Sequence, residues 1–149
     1  MVRETLRVSA IVSSRLPLMP RDELPFQDWV IPANTPVGMT PRSILLDPSV
    51  FPNPNDFIPQ RWLLHDPLGQ RNNPERYFVA FGKGARMCQG MHFALTEIYT
   101  ALTALFRRFD FELVDTIRER DVNTARDCFL AETVPGSSGV KIRVVGERV

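Results

Sequence analysis

Twelve of the 13 prolines in this 149-residue chain fall between Pro17 and Pro74, and that crowding limits the fold more than any other feature. Proline fixes φ, lacks an N–H donor and breaks helix interiors, so the first half of the chain cannot be a bundle of long helices. It reads as short strands and one-turn helices joined by ordered coil. Phe26 to Met39 is expected to form a hairpin, with Trp29 and Ile31 on one face and Pro32-Ala33-Asn34 as its turn, because asparagine tolerates the left-handed region. Thr40 and Pro41 read as N-cap and first residue of a short helix running to Leu46. The stretch Phe51–Trp62 is dense in turn residues yet rich in aromatics, unlike disordered proline tracts, so it is expected to be packed.

The second half has a different texture. Met91, Ala94, Leu95, Ile98, Ala101, Leu102, Leu105, Phe106 and Phe109 recur at steps of three and four, which predicts an amphipathic helix. It should begin near Cys88–Gly90 and end near Arg107-Arg108, whose charges suit a helix C-terminus. Phe109, Phe111 and Leu113 then alternate as a strand, and Cys128–Leu130 and Val140–Val145 read as two more, joined by a turn at 135–139. The charge balance of 18 basic to 17 acidic residues removes any global case for nucleic acid or anionic membrane as partner. Cys88 and Cys128 are too few for a disulfide scaffold and form no C-x-x-C. No apolar run approaches the ~18 residues of a membrane span. There is no internal repeat, and the length suits one domain.

The chemistry is concentrated just before the long helix, in Phe81-Gly-Lys-Gly-Ala-Arg-Met-Cys-Gln-Gly90. Two glycines before the cysteine and one after it let the backbone approach a flat ligand and turn its amides inward. A cysteine at a helix N-terminus, with Arg86 two residues away, is favoured as thiolate. Arg86 can fork onto a carboxylate, and Phe81 can shield the sulfur from water. A screened thiolate beside an arginine is what an axial haem ligand needs, with the arginine holding a propionate. Two other readings compete. One is a glycine loop capping a helix, with Cys88 as a small buried hydrophobe. The other is a zinc site of Cys88, His92, Cys128 and His65, which lacks a second closely spaced ligand pair.

The spacing F-x-x-G-x-R-x-C-x-G resembles the haem-binding signature of the cytochrome P-450 family, matched at Phe81, Gly84, Arg86, Cys88 and Gly90. Five fixed positions at roughly one in twenty each arise by chance in about one window in three million. Glu4-Thr-Leu-Arg7 resembles the family's E-x-x-R motif, and Pro59-Gln60-Arg61-Trp62 its P-E-R-[FW] segment, with glutamine where the family has glutamate. The resemblance implies that Glu4, Arg7 and Arg61 form a structural cluster locking the proline-rich coil onto the haem side. It implies haem b as cofactor, with Cys88 as the axial iron ligand and Phe81, Gly84, Arg86 and Gly90 around it. It further implies that Ile11–Ser14 lines a substrate pocket and that Arg15 or Arg21 reaches a propionate, although Leu18 stands where a basic residue is expected. The segments Trp29–Val37 and Pro135–Val144 look most like filamentous-fungal members acting in secondary metabolism.

By this resemblance the fold class is mainly α with small β-sheets (α+β), the C-terminal part of the cytochrome P-450 fold, truncated within the E-x-x-R helix. One partial domain is expected. Residues 1–80 hold the helix end, hairpin and coil, 81–113 the cysteine loop and long helix, and 114–149 the C-terminal strands. The implied activity is a haem-thiolate monooxygenase oxidising a small lipophilic substrate with dioxygen, its electrons coming from NADPH through an NADPH-cytochrome reductase. Family members usually sit at the endoplasmic reticulum, while a chain without an anchor reads as cytoplasmic. No segment matches the [AG]-G-x-[DE]-T motif of the distal helix. The chain alone is therefore expected not to turn over substrate, and a non-catalytic haem-binding or interaction module is the alternative.

Overall fold

A computed structural model of the chain describes residues 1–63 and 74–148. His65 and Pro67 lie outside the described residues. Helix α1 (Val2–Ser9) places Glu4 in its first turn and Arg7 in its last, the order that complements the helix dipole. Eight residues make a marginal helix in isolation, so α1 depends on what packs against it. After it come β1 (Leu16–Leu18), β2 (Leu24–Phe26), β3 (Trp29–Ile31) and β4 (Val37–Met39).

The expected hairpin is present in part and differently paired. β3 and β4 do not pair with each other. β2 pairs with β3 through Phe26↔Trp29, and β1 with β4 through Leu16↔Met39. The two ladders share one register and form a single long hairpin interrupted on both arms. Its turn is Gln27-Asp28, with Gln27 at φ 53°, whereas Asn34 takes φ 61° inside the interruption and donates its N–H to the Pro20 carbonyl at 2.8 Å. Asn34 is thus left-handed as its chemistry suggested, but the chain reverses earlier. Helix α2 (Pro41–Leu45) begins as expected, with Pro41 at its start and the Thr40 hydroxyl accepting from the Arg42 amide at 3.3 Å.

The long helix α3 spans Met91–Arg108, and Phe109 ends it by entering strand β5 (Phe109–Leu113). After α4 (Arg118–Asp121) follow β6 (Arg126–Cys128), β7 (Leu130–Glu132) and β8 (Ile142–Glu147). Cys128–Leu130 is not one strand. It is the tip of the β6–β7 hairpin, with Phe129 at φ 73° between the two arms. β8 pairs with β5 instead, with a bulge between Asp110 and Phe111. Helices with small two-stranded antiparallel sheets make this an α+β arrangement. Among the described residues, no helix is long and apolar enough to cross a membrane. The best-enclosed side chains, Glu4, Arg7, Leu45 and Phe51, lie together beneath α1, so this core is organised around a charged pair.

Candidate cofactor site and its scaffold

Glu4 and Arg7 are wholly enclosed, with 0% of either side chain exposed. A guanidinium has five N–H donors, and every one of Arg7 is used. Two go to Glu4, from Nε to Oε2 at 2.9 Å and from Nη2 to Oε1 at 2.8 Å. The other three reach backbone carbonyls, one at the end of α2, Leu45 (2.9 Å), and two in the proline-rich coil, Pro54 (2.8 Å) and Asp56 (3.0 Å). The Phe51 ring lies 5.1 Å from the guanidinium carbon, adding a cation–π contact. One side chain thus ties the end of α2 to two points of a coil that has no ladder of its own.

Glu4 accepts from four partners. Besides Arg7 these are the Ile58 amide at 2.9 Å, the Trp62 indole N–H at 2.9 Å and Arg61 Nε at 3.3 Å. Burial pushes its carboxyl up, but the hydrogen bonds from Arg7, Ile58 and Trp62 and the charge of Arg7 outweigh burial and leave it below its ordinary value of 4.5. Two arginines against one carboxylate leave a surplus positive charge, and its location explains why it is tolerated. Arg61 sits at the rim, with 11% of its side chain exposed and Nη2 donating to the Asn53 carbonyl at 2.9 Å. Gln60, the departure from the family pattern, is exposed, so its lost charge does not touch the cluster.

From this cluster a short physical path leads to the cysteine loop. The Trp62 ring meets Phe78 edge-on at 5.3 Å, and Arg3 pairs with Glu75 in the intervening turn. Gly82 then donates to the Val79 carbonyl at 2.9 Å as the loop begins. Within the loop the Cys88 amide donates to the Phe81 carbonyl at 2.8 Å, and Met87 to Gly84 at 3.0 Å. Gly82 and Gly84 both take φ 73°, a conformation that side-chain-bearing residues adopt with strain. Residues 83–90 are exposed. Helix α3 starts three residues after Cys88, with Gly90 at its cap.

The residues present fit an axial haem ligand and its surroundings. Cys88 is free and exposed, and Arg86 has no hydrogen-bond or ion-pair partner among the described residues. A Cβ added at Gly84 would meet nothing within 4 Å, so the space beside it is open. A Cβ at Gly90 would stand 3.9 Å from the Cys88 sulfur, so glycine there keeps one side of the thiol clear. Arg15 and Arg21 are likewise without polar partners among the described residues, while Leu18 pairs with Val37 in the hairpin. Cys88, His92 and Cys128 are not drawn together. Among the described residues, no three His, Cys, Asp or Glu side chains converge as a metal group.

A loop around a free, exposed cysteine thus leads into a long helix, with an enclosed Glu4–Arg7 pair and Arg61 at its rim holding the coil before it. The cytochrome P-450 family model matches residues 1–137, and the chain belongs to that family. It is 42% identical over 144 residues to the cytochrome P-450 monooxygenase claJ of Penicillium crustosum, covering 96% of this chain and 32% of that protein. It is 41% identical over 143 residues to the tryptophan 6-hydroxylase fscE of Fusarium equiseti, covering 96% of this chain and 28% of that one. The N-acetyltryptophan 6-hydroxylase ivoC of Emericella nidulans matches equally, at 41% over 143 residues, with 96% and 28% covered. The chain thus spans about a third of the length of these curated relatives.

Proposed function

We propose that this chain supplies the thiolate-side haem cradle of a haem-thiolate monooxygenase, with Cys88 as the axial ligand of haem b. When bound, thiolate-ligated haem supplies the activation of dioxygen, the sulfur's electron donation favouring O–O cleavage. The chain's own residues do the holding. Arg86 presents a free guanidinium to a propionate, and Gly84 and Gly90 keep the backbone close and the sulfur unobstructed. Phe81 anchors the cysteine by accepting from its amide, and its ring would cover the sulfur once haem is in place. Glu4, Arg7 and Arg61 act on none of the reacting atoms. They brace the coil from which the loop emerges.

The observation that carries this reading is the loop itself, an exposed free cysteine following two glycines held in the left-handed region, beside an arginine with no partner among the described residues. The substrate class is a small lipophilic molecule of fungal secondary metabolism, with electrons from NADPH through a cytochrome reductase. Two relatives named as tryptophan hydroxylases make an indole one substrate to try. The Ile11–Ser14 segment lines the substrate pocket, and Arg15 or Arg21 takes the second propionate. A reduced carbon-monoxide difference spectrum tests the ligation. The thiolate-type band is expected in the native protein and absent in Cys88→Ala; a band unchanged in the variant removes Cys88 from the iron. The other reading, a haem-binding module without turnover, is favoured by α3, none of whose residues is buried. NADPH-dependent hydroxylation by the 149-residue chain with a reductase would exclude it.

A further inference from the structure

A polar junction at the tip of the β6–β7 hairpin, away in sequence from the cysteine loop, joins segments more than a hundred residues apart. One oxygen, Asp127 Oδ1, accepts from the Ser13 hydroxyl at 2.7 Å, the Ser14 hydroxyl at 2.7 Å and the Phe129 amide at 3.1 Å. Backbone pairing beside it is sparse. The Ser13 and Ser14 amides donate to the Phe129 carbonyl at 3.2 and 3.5 Å, the Ala131 amide to the Ile11 carbonyl at 2.7 Å, and Val12 and Leu130 form an isolated bridge. A single bridge and these few backbone bonds, beside a hairpin of three-residue arms, hold such a junction loosely, so the side-chain bonds add to its fixing. The turn is also strained, because an aromatic residue seldom occupies φ 73°. Asp127 holds that turn by accepting from the amide two residues on. Around this fixed backbone, Ile11, Phe129 and Leu130 remain 49%, 59% and 48% exposed. They are apolar side chains presented outward from a locked frame.

We propose that Asp127 is a positioning residue that fixes the Ile11–Ser14 segment against the β6–β7 tip and so sets the shape this wall presents to a small lipophilic ligand. The proposal rests on the reading in which Ile11–Ser14 lines the substrate pocket. Asp127 Oδ2 has no hydrogen-bond partner among the described residues, so an amide at 127 keeps the accepting oxygen and turns its NH2 outward. Geometry is therefore separable from charge.

Two readouts on the haem-loaded protein test it: amide hydrogen exchange over residues 11–14 and 129–131, and Soret titration with imidazole and with 4-phenylimidazole. Asp127→Ala should accelerate exchange at both segments and weaken 4-phenylimidazole about tenfold, while imidazole stays within about twofold. Asp127→Asn should restore both. The double variant Ser13→Ala, Ser14→Ala should show the same split, and serves if Asp127→Ala does not fold. Unchanged exchange, or equal loss of both ligands, overturns the proposal. So does accelerated exchange with undiminished 4-phenylimidazole affinity. If the native protein gives no Soret shift with imidazole, the haem reading fails instead, and the exchange arm still decides whether Asp127 is the lock.

Discussion

The region beneath α1 and the region from Phe81 to Arg108 are built from one chain and covered in opposite ways. Beneath α1 the two most hydrophilic kinds of side chain, a carboxylate and a guanidinium, are fully enclosed and fully bonded. In α3 an apolar stripe of Leu, Ile and Phe has no buried residue, and Phe93 is 71% exposed. Polarity alone therefore does not sort this chain into inside and outside. Burial follows the partner: Arg7 is buried because three backbone carbonyls and Glu4 match its five donors, and α3 stays open because little packs on it among the described residues beyond the edge-on contact of Phe111 with Phe106. The first region is finished by its own chain, and the second presents a surface.

The sharpest way to break the contrast is to remove Arg7. Arg7→Ala should cost roughly 3–5 kcal/mol in a denaturant unfolding curve, because it takes the two-bonded, fully buried partner from an enclosed carboxylate and frees three carbonyls. A loss under about 1 kcal/mol would mean the coil is held elsewhere. The same cluster sets an acid limit. The folded-state pKa of Glu4 lies below its unfolded value, so its contribution is complete above about pH 4.5 and is lost as pH falls through the lowered value. Glu4→Gln should reduce stability at neutral pH and flatten that acid limb; a limb of unchanged steepness would place the protonation on another carboxyl.

Smaller effects are expected in the exposed region. Gly84→Ala should destabilise by roughly 1 kcal/mol through backbone strain, since a Cβ there has open space and only φ is at issue. Phe93→Ser should change unfolding by less than about 0.5 kcal/mol, although the same substitution in an enclosed helix would cost several times more. A loss of more than about 2 kcal/mol would show that α3 has a cover in solution, and the two regions would no longer differ in kind.

Legibility in the sequence follows the same division between local and distant causes. The α3 bounds came within about three residues of expectation because helical periodicity and the Arg107-Arg108 end are local signals. Thr40 and Pro41 were readable for the same reason. The Glu4–Arg7–Arg61 association was legible from spacing and resemblance, but its bonds to the Leu45, Pro54 and Asp56 carbonyls were not, because any residue offers a carbonyl. Hairpin pairing is not legible, because alternation at Trp29 and Ile31 identifies a strand and not its partner. Phe129 carried no signal at all: an aromatic residue in the left-handed region is held there by Asp127, not by its own preference. Asp127, with its reach to Ser13 and Ser14, was missed for that reason.

Stability held in the Glu4–Arg7 cluster and the haem binding proposed for the Cys88 loop should separate in unfolding. The haem-dependent shift of the urea unfolding midpoint, compared between native protein and Cys88→Ala, tests this most directly. Without haem the two midpoints should coincide, since Cys88 is exposed and makes no side-chain bond among the described residues. With haem at a hundred times its dissociation constant, the native protein should gain about 2.7 kcal/mol and Cys88→Ala far less. An equal gain in both, or a fall in the variant's midpoint before haem is added, would contradict the account.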